Sequence, residues 1–245
     1  MIMWPALYLV TLVCLFALSI AVVFLMRFMV KKSLFDIIFV VIVFVSYSLL
    51  VIAAYQKNGT DNWNFRNTLP YANISPFMFF FTPLFFVLPR GVRKYFGTLI
   101  ALLCLGMILS SSISCIHYFS IGYAFHPEFV FDYIAHFALA LFGIYLVQSK
   151  QVELRLKDSL IGGSIIVAVA VTMLIVNAIF DTSFFGLSLR GKHNIYNRVL
   201  VDNSFASAGI YFAGLFAALG SGFGLQKLLC LLRKRIDRNP EEASL

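Results

Sequence analysis

The chain has 245 residues, 61% of them hydrophobic and only 12% charged, with a formal net charge of +8. Soluble domains carry about 45–50% apolar and about 25% charged residues, so the charges here are too few to cover a water-facing surface. A soluble enzyme, a secreted disulfide scaffold and a disordered chain are excluded, and the long unalternated apolar runs predict an all-α polytopic membrane bundle rather than a β-barrel.

A spanning helix needs about 20 mostly apolar residues. Seven stretches meet that length, at 4–26, 33–55, 71–89, 96–116, 130–148, 160–180 and 205–226. The first lacks a basic segment before it, and its basic flank follows it, so it reads as a retained anchor rather than a cleaved signal. The third holds Pro70, Pro76, Pro83 and Pro89 within or beside it. Proline removes a backbone donor and kinks a helix, and the freed carbonyls need partners in protein or in a water-filled cavity.

The segments between spans predict the orientation, because Lys and Arg concentrate on the cytoplasmic side. The segments after the first, third, fifth and seventh spans carry Arg27, Lys31, Lys32, Arg90, Arg93, Lys94, Lys150, Arg155, Lys157, Lys227, Arg233, Lys234, Arg235 and Arg238. The other side carries Lys57, Arg66, Arg190, Lys192 and Arg198, which completes the 19 basic residues. Seven spans with the N-terminus outside and the C-terminus cytoplasmic follow as the expectation. The chain is then one transmembrane domain over 1–232 with a short basic, then acidic, tail over 233–245, in a multi-pass protein of the cell membrane. The positive charge needs no nucleic acid. Topogenic charge beside anionic headgroups accounts for it, and membrane lipids are the expected partners.

Cys14, Cys104, Cys115 and Cys230 lie within or at the edge of spans, without metal-ligand spacing. Neither a metal nor a cofactor is implied. On the last span Gly209, Ala213, Ala217 and Ser221 recur every four residues. Small residues at that spacing let helices approach closely in lipid. They form either a face for a partner helix or, as the expected reading, tight packing inside the bundle.

Ionisable side chains inside a bilayer are functional candidates by default. Asp36 sits near the cytoplasmic start of the second span, close to Lys31 and Lys32, and reads as structural. Asp132 and His136 lie four residues apart on the fifth span, on one helix face and about 6 Å apart along the axis. A carboxylate beside an imidazole fixes its tautomer and raises its basicity, as a general base requires. Asn73, Ser75, Cys115, His126 and Asn177 fall at the same predicted outer depth. For acyl transfer or hydrolysis, Cys115 or a serine would be the nucleophile, His136 the base and Asp132 its orienting partner. Asn73 or Asn177 would donate to the oxyanion, with Ser75 and His126 lining the substrate pocket. The equal structural reading is a hydrogen-bonded pair that locks two helices. The stretch 181–204 is long for a bundle and is either a lid or binding element or a solvated loop.

The segment Leu69-Pro70-Tyr71-Ala72-Asn73-Ile74-Ser75-Pro76 and the later Phe131-Asp132-Tyr133-Ile134-Ala135-His136-Phe137 resemble the YwaF-like multi-pass membrane proteins. That bacterial group is related to a eukaryotic transmembrane acyltransferase and to the androgen-induced lipid hydrolases. The resemblance covers roughly residues 67–148. It implies six or seven helices around an intramembrane histidine, here His136. The acyltransferase branch has a cysteine near the Asn-Ile-Ser segment, where this chain has Ala72.

Three functions compete at this stage. They are a lipid acyltransferase or hydrolase built on His136 and Asp132, a carrier or binding subunit for a small solute, and a non-catalytic partner of a membrane complex acting through the last span.

Overall fold

The computed structural model describes residues 17, 21, 32–58, 68–69, 74–120, 127–152, 155–182, 184–187 and 204–238. The span predicted at 4–26 therefore lies almost wholly outside the described residues. Seven helices follow in chain order: α1 (Lys32–Asn58), α2 (Ile74–Phe81), α3 (Leu84–Val87), α4 (Arg90–Ser120), α5 (Pro127–Gln148), α6 (Leu156–Phe180) and α7 (Ser204–Arg238), with one 3-10 turn at Phe184–Gly186. There is no strand among the described residues. Among the described residues four segments are long and apolar enough to cross a membrane: Asp36–Gln56, Val130–Gln148, Leu156–Phe180 and Ala208–Arg235. The chain is a helical membrane protein.

The stretch predicted as a span at 71–89 holds two short helices, α2 and α3, with a break between them. Pro83 has no N–H to continue the ladder of α2, and the chain turns at Thr82, whose N–H and Oγ1 both bond to Met78 O at 2.9 and 2.7 Å. Leu88, the residue before Pro89, is extended (ψ 145°), and α3 ends there. Arg93 then closes the gap from the first turn of α4. Its guanidinium donates to Phe86 O at 2.7 Å and to Leu88 O at 2.9 Å, covering carbonyls that the broken helix leaves open.

α4 is the hub, packing against α5, α6 and α7. Lipid supplies little hydrophobic drive between helices, so the contacts depend on backbones approaching closely. Each neighbour turns a glycine to α4. A Cβ built at Gly222 of α7 would stand 2.2 Å from Leu102 O, one at Gly143 of α5 2.8 Å from Cys104 Cβ, and one at Gly162 of α6 3.1 Å from Leu99 N. Gly106 of α4 answers toward α7, where a Cβ would meet Ala218 O at 2.5 Å. The core between these contacts is Ile100, Leu103, Cys104, Leu139, Phe142 and Leu146, all buried.

The stripe Gly209, Ala213, Ala217 and Ser221 does not pack inside the bundle. All four residues are exposed, and a Cβ at Gly209 would meet nothing within 4 Å. α7 is small on both sides, and Gly222 takes the inward one.

One end of the bundle is basic, and its polar side chains pin the helix ends. Asp36 of α1 accepts from Tyr145 Oη and, at 2.7 Å, from Gln151 Nε2, while Phe39 stacks on the Tyr145 ring at 4.6 Å. Asp36 is structural, as expected. Its described partners come from the end of α5 and the residues just after it; Lys31 and the Lys32 side chain lie outside the described residues. Arg233 of α7 caps Val147 O at 2.8 Å. Lys94 of α4 reaches Asp158 of α6 at 3.0 Å, with the Asp158 side chain only 3% exposed and Lys94 45%. Removing one partner of such a pair strands the other, and the cost is greatest when the stranded charge is buried. Lys94→Met is therefore expected to destabilise the protein by about 3 kcal/mol. Asp158→Asn, which leaves a solvated lysine, is expected to cost clearly less. Thermal unfolding of the two variants in detergent checks the asymmetry, and equal losses would count against a buried ion pair.

Candidate functional site

Asp132 and His136 meet on one face of α5, as the four-residue spacing requires. His136 Nδ1 lies 2.8 Å from Asp132 O and 3.3 Å from Asp132 Oδ1. Both are acceptors, so the ring proton belongs on Nδ1. In the neutral imidazole, Nε2 then carries the lone pair. The side chains are 14% and 35% exposed, which leaves the histidine enclosed and the carboxylate half open.

An aromatic series holds the imidazole from the side. The Phe79 ring of α2 stands edge-on to His136 at 6.1 Å, and Tyr47 of α1 stacks on Phe79 at 4.7 Å. The Tyr47 hydroxyl donates to Thr68 O, tying α1 to the segment that leads into α2. Such pairs add about 0.5–1.5 kcal/mol each beyond burial, and here they fix the position of a catalytic candidate.

α2–α3 and α5 run in the same direction, since Phe79 meets His136 and Phe86 meets Phe142 at 6.0 Å further along both. Ser75, one turn before Phe79 and on its face, is therefore level with Asp132. The helix axes give the other depths. α4 and α5 are antiparallel with Gly143 against Cys104, which brings the Cys115 backbone to the level of Asp132. α6 runs with α4, Gly162 lying against Leu99, so Asn177 also falls at that level. Along the bundle axis Ser75, the Cys115 backbone, Asp132 and Asn177 thus stand at one level. The Cys115 side chain, Asn73 and His126 lie outside the described residues.

Asn177 is not available as an oxyanion donor. Its Nδ2 donates to Phe184 O at 2.8 Å and to Leu187 O, and its Oδ1 accepts from Thr182 Oγ1 at 2.7 Å and from Phe184 N at 2.8 Å. Every hydrogen-bonding position of the amide is spent on the segment that leaves α6. That segment turns back into the bundle. Asp181 and Phe185 both take left-handed backbone (φ 52° and 57°), and Phe185 and Leu187 are buried, Phe185 edge-on to Phe77 at 5.6 Å. A left-handed phenylalanine costs about 1–2 kcal/mol, offset by burial of the ring and by the Asn177 bonds. The start of the predicted 181–204 loop is thus a plug; its remainder lies outside the described residues. Asn177→Ala is expected to release the plug, seen as faster limited proteolysis at 182–187 with α6 intact. Unchanged cleavage would contradict this role.

Comparison with protein-family models, with curated proteins and with solved structures found no match. The functional reading therefore rests on the residues themselves.

Among the described residues no three His, Cys, Asp or Glu side chains gather as a metal site. What the arrangement offers is an oriented base. Nδ1 is committed to Asp132, Nε2 is the remaining proton acceptor, and Ser75 lies level with the pair. Sequence reasoning missed Tyr47 and Phe79 as the wall of the site. The signal was a tyrosine in the apolar run of α1 and an aromatic run beginning one turn after Ser75.

Proposed function

We propose that this chain is a seven-span protein of the cell membrane, N-terminus outside, that transfers or hydrolyses acyl groups of lipids near the outer leaflet. The resemblance to the YwaF-like proteins belongs with this reading, as does the division of basic residues between the two sides. The observation that carries it is the His136 Nδ1 contact to Asp132, which leaves Nε2 as the base. In the proposed step Nε2 takes the proton of the attacking hydroxyl or thiol, from Ser75, Cys115 or a water molecule. The attacking atom bonds to the acyl carbon, the ester C–O bond breaks and the leaving alcohol takes the proton back from Nε2. An acyl group held on Ser75 or Cys115 is then released when water or an acceptor hydroxyl attacks it in the same way. Asp132 holds the ring and stabilises the imidazolium between the two transfers. The test is a lipidomic comparison of membranes carrying the wild type or His136→Ala; identical profiles would defeat the enzyme reading.

One observation favours a second reading, that of a non-catalytic partner. The small-residue face of α7 is exposed along Gly209, Ala213, Ala217 and Ser221. A partner helix seated there would be lost on widening the face. Ala213→Ile with Ala217→Ile is expected to leave thermal stability within about 0.5 kcal/mol, as surface changes do, while removing a co-purifying membrane protein. Retention of that protein, or its absence from the wild type, would end the partner reading.

A further inference from the structure

A second polar layer, unrelated to His136, lies near the basic end between α4, α5, α6 and α7. Gln226 of α7 is 0% exposed, and neither its Nε2 nor its Oε1 has a hydrogen-bond partner among the described residues. Gln148 of α5 donates to Leu229 O at 3.2 Å but leaves Oε1 unpaired, and Ser159 Oγ of α6 is buried and unpaired as well.

The glycine contacts bring Gln226 and Gln148 to one level. Ala218 faces Gly106 and Gly222 faces Leu102, so α7 descends four residues as α4 recedes by four, and the next turn sets Gln226 against Thr98. Gly143 faces Cys104 and Leu105, which puts Gln148 beside the same turn of α4. Gly162 faces Leu99 and Tyr95, so Ser159 stands about one turn nearer the basic end, outside this level. α5 and α7 thus bring unpaired polar groups to one turn of α4.

A buried amide without partners is strongly unfavourable, most of all where lipid surrounds the bundle. The groups include both donors and acceptors. They carry no net charge, since the neighbouring carboxylate of Asp158 is held by Lys94. Among the described residues an anion finds no free cation there, and a metal ion finds no free carboxylate. We infer that Gln226 and Gln148 form a binding site for a small neutral ligand with both donor and acceptor groups, either water or a solute of amide or polyol chemistry. Such a ligand adds a polar bridge between α7 and α5 beside the direct Gln148–Leu229 hydrogen bond.

X-ray radiolytic labelling in 18O-water tests this on the full chain in nanodiscs, because bound water activated in place modifies buried neighbours. Leu99 and Leu229, buried beside the polar groups, are compared with Leu139 and Phe142, equally buried in apolar surroundings. Faster 18O incorporation at Leu99 and Leu229, lost in Gln226→Leu and retained on adding acetamide or glycerol, identifies water. Suppression of that labelling by acetamide or glycerol identifies the solute. Labelling of Leu99 and Leu229 no faster than that of Leu139 and Phe142 overturns the site, as does labelling that survives Gln226→Leu. If that variant does not fold, the wild-type comparison decides alone.

Discussion

His136→Ala is expected to lower lipid turnover by about 10²–10⁴-fold, the usual contribution of a positioned general base. The folded protein should remain. The imidazole spends its Nδ1 on its own helix, at Asp132 O and Oδ1, and its ring meets Phe79 at an edge, so among the described residues its removal breaks no hydrogen bond between helices. Were the pair a structural lock, the reverse pattern would appear, with stability falling and no lipid product changing. Asp132→Asn separates orientation from charge. An asparagine oxygen can still accept from Nδ1–H, and the backbone carbonyl is unaltered, so the tautomer persists while the anion that stabilises the imidazolium is gone. Its rate should fall less than that of His136→Ala. Product formation by purified variants in liposomes, with circular dichroism to confirm helicity, gives both numbers.

Gly222→Ala is expected to produce the largest loss of stability for the smallest change of side chain. A methyl group there would stand 2.2 Å from Leu102 O and 3.0 Å from Leu102 C, both backbone atoms that no rotamer can move. α4 and α7 must separate, and overpacking of this kind costs about 1–3 kcal/mol. The change should also disturb Gln226, one turn below. Gly220 and Gly224 flank Gly222 on the same helix, and a Cβ at either meets nothing within 4 Å. Alanine at those positions should leave the midpoint of thermal unfolding in detergent nearly unchanged. Equal effects at Gly220, Gly222 and Gly224 would mean that α7 does not pack through Gly222.

These two positions show how unevenly the sequence declares itself. Asp132 and His136 were legible because both lie on one helix, where spacing alone decides that they share a face. The long apolar helices were legible for the same reason, since composition and length suffice. The packing face of α7 was not. Gly209, Ala213, Ala217 and Ser221 form one small stripe and Gly214, Ala218 and Gly222 lie beside it, so periodicity offers two candidates, and only the shape of α4 chooses between them. The proline-rich stretch predicted a bend, yet the two-helix outcome depends on Arg93 reaching back to Phe86 O and Leu88 O from the next element. Asn177 misled in a similar way. A polar residue near a membrane helix end looks like a ligand group until its partners, Phe184 and Leu187, are brought back by a turn with left-handed Asp181 and Phe185. Partners set by tertiary contact leave no spacing to read.

The proposed chemistry stands on Nε2 of His136 facing a substrate. The most direct measurement is a density map of the protein in nanodiscs made from its host's lipids. A lipid ester or headgroup oxygen within hydrogen-bonding distance of His136 Nε2, with its acyl chain along Phe79, is the predicted result. Protein side chains closed over Nε2, with lipid confined to the outside of the bundle, would contradict it.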